Sequence, residues 1–291
     1  MSPALWGAAT ALSWGSADVL GRWTGGRFGA VVALAGTMLT SVVVLGALRL
    51  AQGEPLMRDW AHLPVPLLAG VANAVGTLCL ILALVRGPVV ITSPITASYP
   101  VVNLLLALLA GLVPTTEQWL AMGVVMAGVV LVSRGADHAA APGPAPDRRR
   151  LLVSIAVALT SALGFALSIH AIQAVSAAQG ELQATFLMRV GGALPAVAML
   201  LALPRPRRGV PARWWPVLSL QGLLDGCAYV LLLYGSAGEG AQVVVVVAAA
   251  YCVVPVLFGR FVLKEHMGWP QVLGLLAIVG GVAYLAGAHQ G

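Results

Sequence analysis

The sequence predicts an all-α integral membrane protein: ten transmembrane helices forming an inverted five-plus-five repeat around a central cavity. Three observations carry that expectation. Hydrophobic residues make up 59% of the 291-residue chain and charged residues 9%. A soluble domain carries about a quarter charged residues, so lipid must cover most of this exterior. The apolar residues fall into stretches near the ~20 residues that a helix needs to cross a bilayer. At the midpoint, Arg134 to Arg150 (RGADHAAAPGPAPDRRR) is too polar to span and too rich in Pro for regular helix.

The first five spans are expected at 3–22, 29–51, 62–85, 88–112 and 115–133, and the second five at 151–177, 181–203, 213–237, 239–261 and 268–287. No cleavage-like site follows the first span, so it is expected to be retained. Arg86-Gly87-Pro88 separates the third and fourth spans with a charge and two helix breakers. The Val243–Val247 run in the ninth reads as helix, because lipid leaves no water for an open strand edge. Residues 1–133 and 151–291 then form two five-helix repeats, and 134–150 the linker between them.

The halves resemble each other. Pro66 and Pro216 open the third and eighth spans, followed at equal offsets by Ala72/Gly76 and Gly222/Gly226. Small residues at this spacing let membrane helices approach closely. SYPVVNLLLALLAG (98–111) faces AYCVVPVLFGRFVL (250–263), and Trp119 and Gly123 face Trp269 and Gly274. An odd number of spans per half inverts the second repeat. Charge supports that topology. The odd-numbered gaps hold thirteen Arg and Lys, the even ones only Arg49 and Arg58. By the positive-inside rule the odd gaps, including 134–150, are cytoplasmic and both termini periplasmic, in a multi-pass inner (plasma) membrane protein.

The closing segment PVLFGRFVLKEHMGWPQVLGLLAIVGGVAYLAG (255–287) resembles the end of EamA-type carriers of the drug/metabolite transporter superfamily. Those carriers show a Pro-initiated helix, a Gly-Glu-like turn and a Gly-rich last span. Here Lys264-Glu265 stands at the turn, and Val113-Pro114-Thr115-Thr116 replaces the acidic turn in the first half. The opening LWGAATALSWGSADVLGRW (5–23) is similar to the family's first helix, with its Trp-Gly step. The resemblance implies a metabolite exporter built as an inverted repeat. Members of similar length and plan include YddG-type aromatic amino-acid exporters.

A polar side chain at bilayer depth is costly and marks protein contacts or a watery pathway. Asp225 and Asn73 lie near the middle of the eighth and third spans, two positions from symmetry-equivalent. Each reads either as a central substrate or proton site or as an interhelical hydrogen bond. Asp18 stands one helical turn before Arg22, so a local ion pair competes with a coupling role. Acids in the first helix of smaller superfamily members, used for proton coupling, add weight to the latter. Arg189 in the seventh span is expected to pair with Glu181 or Glu239 as a gate, ahead of holding a substrate carboxylate. His170 and Gln173 lie toward the outer side of the sixth span, and His170 fits a snorkelling interface residue better than a site. Trp14, Tyr99, Asn103, Tyr229, Gln242 and Tyr251 are candidate cavity walls, with Tyr99 and Tyr251 at matching repeat positions.

Other classes fit poorly. The five His are scattered without metal-ligand spacing, and no phosphate-cradling Gly-rich loop occurs, so no enzyme, cofactor or metal is expected. Cys79, Cys227 and Cys252 lie in apolar runs as packing residues. The positive charge marks orientation and not nucleic-acid binding. A channel shares the repeat and the polar midplane and stays as an alternative to an amino-acid carrier, beside a multidrug or other-metabolite exporter of the same superfamily. The expected partners are a small-molecule substrate and membrane lipids, with a monomer sufficient.

Overall fold

In the computed structural model the described residues are 2–57, 62–109, 115–134, 148–202, 210–235, 244 and 247–288, and they are almost entirely helical. Pro3 starts α1 (Pro3–Phe28) at a position where its missing N–H costs nothing. Gly29, at φ 94°, turns the chain into α2 (Ala30–Ala51). α3 (Pro64–Arg86) ends at the Gly87-Pro88 breakers. Then follow α4 (Val89–Ala97), α5 (Tyr99–Leu109) and α6 (Thr116–Arg134). The second half begins with α7 (Arg148–Gln179), three residues earlier than expected, so Arg148 to Arg150 form its first turn. α8 (Glu181–Ala202) follows Gly180, and a 3-10 turn (Ala212–Trp214) leads into α9 (Trp215–Gly235). A second 3-10 turn (Ala249–Cys252) opens α10 (Val253–Phe261), and α11 (Trp269–Ala288) closes the chain. Val244 and Val247 are helical; Val243, Val245 and Val246 lie outside the described residues.

Five of these segments are long and apolar enough to cross a membrane by length and composition: 30–51, 64–86, 148–176, 181–202 and 212–235. Shorter apolar helices cover 119–132, 250–261 and 269–284. The outside of the bundle is apolar. On α3, Leu68 is 69% exposed and Val71 and Val75 share its face, while Gly70, Asn73, Gly76 and Thr77 are buried. Small and polar residues inside with apolar ones outside is the arrangement that hydrocarbon solvent favours.

One expectation is corrected. The fourth and ninth spans were each read as one continuous helix. Regular α-helix fails in both, at Ser98 between α4 and α5 and at Ala249–Cys252 before α10. Pro100 has no amide hydrogen for the Thr96 carbonyl, and Pro255 has none for that of Tyr251. At the first break Ser98 Oγ turns back to the Ile95 carbonyl at 2.6 Å. The two breaks fall at repeat-matched positions.

The halves interleave. α3 packs on α7 and α8 of the second half, and α9 packs in the same way on α1 and α2 of the first. α6 meets its counterpart α11, and α4 meets α10. Each helix thus meets the partner that a twofold exchange of the repeats requires.

Candidate substrate site

The third helix of each half sets the site, because each is wedged into the other half without a side chain at the contact. A Cβ on Gly70 would stand 2.1 Å from the Met188 carbonyl oxygen of α8, and one on Gly222 would stand 2.8 Å from that of Thr37 on α2. Gly70 and Gly222 are therefore structural counterparts. They lie 152 positions apart, as do Asn73 and Asp225 and also Tyr99 and Tyr251. The two-residue mismatch between Asn73 and Asp225 in the sequence alignment disappears, and the two occupy equivalent places. Gly76 instead meets Phe165 of α7 and Gly226 meets Ser41 of α2, so these two are not packing equivalents.

These close approaches gather a charged cluster at mid-depth. Arg189, 1% exposed, pairs with Asp225 at 3.0 Å (Nη2 to Oδ2). Its Nη1 donates to Asn73 Oδ1 at 3.1 Å and approaches Met38 Sδ at 3.6 Å. Its guanidinium lies 4.4 Å from the ring centroid of Tyr229, where a desolvated cation gains from the π face. Asn73 donates onward to Ser168 Oγ at 3.4 Å, and Ser41 Oγ donates to Asp225 Oδ2 at 3.1 Å. Arg189 Nε has no hydrogen-bond partner. Where pairing with Glu181 or Glu239 was expected, the acid found on Arg189 among the described residues is Asp225, one helix over at the same depth. Glu181 is exposed at the start of α8, and Glu239 lies outside the described residues.

Aromatic rings border the cluster. Trp14 meets Tyr229 edge-on with centroids 5.2 Å apart, and Tyr251 at 6.0 Å. Tyr99 meets Phe165 at 6.4 Å, also edge-on. The Tyr251–Trp14 and Tyr99–Phe165 pairs join the ninth span to the first and the fourth to the sixth, a relation that the repeat exchange reproduces. Trp14, Asp18, Tyr99, Asp225 and Tyr229 are only partly buried. At mid-depth such a carboxylate faces protein or water rather than hydrocarbon.

Asp18 does not form the expected pair with Arg22. Arg22 Nη1 reaches the Gly87 carbonyl at 3.4 Å, because the end of α1 abuts the turn before α4. Asp18 Oδ2 is buried with no hydrogen-bond partner, within electrostatic reach of Asp225. His170 is partly buried on α7 and is not drawn into the cluster by any described contact. Asn103 and Gln173 lie on α5 and α7 with side chains outside the described set, and Gln242 lies outside it altogether. Sequence reasoning missed Ser41, Ser168, Met38 and Phe165. Only Phe165 left a signal, as the near counterpart of Trp14 in the other repeat.

Ten spans in two interleaved halves, with a charge pair bordered by aromatic rings at mid-depth, define a membrane transporter. The chain belongs to the EamA-like transporter family, which matches residues 1–134 and again 152–287. Among curated proteins none matches it. A solved structure, titled only as a crystal structure of a protein, is 19% identical with a TM-score of 0.65, covering 97% of this chain and 95% of that one. It shares the fold.

Proposed function

We propose that this protein is a secondary carrier of the inner membrane that exports small zwitterionic metabolites, amino acids with aromatic or hydrophobic side chains foremost, by alternating access. One observation carries the reading: the buried Arg189–Asp225 pair beside Trp14, Tyr229 and Tyr251. Opening a buried ion pair leaves two uncompensated charges, so few ligands can enter. An amino acid brings both charges in one molecule. Its carboxylate replaces Asp225 on Arg189, and its ammonium replaces Arg189 on Asp225 or meets the unpartnered oxygen of Asp18. Its side chain then lies against the rings, which favours flat apolar groups. Asp18 also serves as a proton-coupling candidate. The halves 1–133 and 151–291 rock about this site, with the 134–150 tether on the cytoplasmic side.

Export of preloaded labelled aromatic, aliphatic and hydroxylated amino acids is measured from cells with and without the protein, with and without a protonophore. Faster, saturable efflux of the aromatic class supports the reading. Efflux that stays linear with concentration points to a pore, and no acceleration of any amino acid overturns the substrate class.

A further inference from the structure

The seam where the end of α1 meets the start of α9 holds side chains that the central site does not use. Trp23, Arg27 and Phe28 close α1, while Arg213 and Trp214 belong to the 3-10 turn before α9. Trp214 meets Trp23 edge-on with centroids 4.8 Å apart and lies 6.1 Å from Phe28. The Arg27 guanidinium stands 4.7 Å from the Trp214 centroid and 5.9 Å from those of Trp23 and Phe28. The Arg213 guanidinium stands 5.8 Å from the same Trp214 ring.

Two cations thus share one indole, and no acid among the described residues pairs with them. Arg27 and Arg213 are exposed, and neither has a hydrogen bond or ion pair among the described residues. No Asp or Glu occurs in 19–30 or 203–218, where Arg22, Arg205, Arg207 and Arg208 add positive charge. A counter-ion from the surroundings fits such a place. A guanidinium placed over a ring still carries unused N–H donors, and its planar fork is the geometry that grips phosphate. Indole rings at span ends sit at headgroup level.

We propose that this seam binds the phosphate headgroup of an anionic phospholipid, held by Arg27 and Arg213 over the floor of Trp23, Phe28 and Trp214. Because α1 and α9 come from different halves, a bound lipid ties the repeats together on that face.

Native mass spectrometry of the full chain in detergent, with phosphatidylglycerol or phosphatidylcholine added, tests this. The wild type retains phosphatidylglycerol in preference. Arg27→Gln and Arg213→Gln each weaken retention about fivefold, in line with the contribution of one juxtamembrane cation. Arg27→Lys and Arg213→Lys also weaken it, since an ammonium offers no planar fork for a phosphate. Arg148→Gln, beside Arg149 and Leu152 in a separate surface depression, leaves it unchanged. Undiminished retention in the Gln or Lys variants, or an equal loss in Arg148→Gln, overturns the proposal. Displacement of the lipid by millimolar inorganic phosphate assigns the seam to a soluble anion and overturns it too.

Discussion

The carboxylate of Glu265, in the turn after α10, accepts hydrogen bonds from the backbone amides of Val89 at 3.1 Å and Val90 at 3.0 Å, the first residues of α4. The second half therefore caps the broken fourth span of the first. The carboxylate satisfies two orphan donors and meets the positive end of the helix dipole. Glu265 is buried, and its own carbonyl accepts from Arg260 Nη1 at 3.2 Å. Glu265→Ala leaves two buried amides unpaired and is expected to lower stability by about 1–3 kcal/mol. Thermal unfolding in detergent checks this, with Glu265→Gln, which keeps one acceptor, falling between. A Tm equal to wild type for Glu265→Ala removes the cap.

Lys264, just before that cap, adopts a left-handed backbone at φ 57°. The resembling carriers often have Gly there. An L-residue in this region costs about 1–2 kcal/mol, and glycine avoids it at a smaller entropic cost. Lys264→Gly is therefore expected to stabilise the protein by about 0.5 kcal/mol, whereas Lys264→Val is expected to destabilise it. Tm values for the two variants moving in the same direction would argue against the assigned turn.

Gly70 has no room for a side chain, since its Cβ would reach within 2.1 Å of a backbone carbonyl. Gly70→Ala must push α3 from α8 and is expected to cost more than about 1 kcal/mol, as overpacking does. It also draws Asn73 off Arg189. Gly123 has open space around its Cβ position, so Gly123→Ala is expected to be neutral or stabilising by up to about 1 kcal/mol. Similar losses in both would show that the α3–α8 contact is not the cause.

Asp225→Asn keeps the shape and the acceptor for Ser41 but leaves Arg189 buried without its counter-charge. Breaking such a pair costs about 3–5 kcal/mol, and transport is expected to fall while the protein still inserts. Replacing both partners, as in Arg189→Met/Asp225→Leu, is expected to recover much of the stability and none of the transport. Wild-type flux in Asp225→Asn sinks the central-site assignment, and wild-type flux in the double variant sinks the substrate role of the pair.

The sequence exposed the depth of the site better than its wiring. Asp225, Asn73 and Arg189 stand out one by one, because each is polar within an apolar run. Nothing local says that Arg189 selects Asp225 over Glu181, because that choice depends on how α8 is rotated against α9. Ser41 and Ser168 are common helix residues with no distinguishing pattern. They become part of the cluster only because α2 and α7 carry them to mid-depth. The breaks at Ser98 and Ala249–Cys252 were signalled by Pro100 and Pro255, but membrane helices tolerate Pro where neighbours satisfy the freed carbonyls.

What the sequence determined by itself is the solvent, the number of spans and the duplication. These follow from composition, run length and order, which any helical folding of the chain preserves. Tertiary structure alone decided the register of the third and eighth spans and the partners within the site. Counting from the prolines gives an offset of 150, while the close approaches of Gly70 to α8 and Gly222 to α2 give 152. Two residues are more than half a helical turn. Backbone contact at two glycines therefore decides which polar side chains look inward together, and no one-dimensional reading contains that contact.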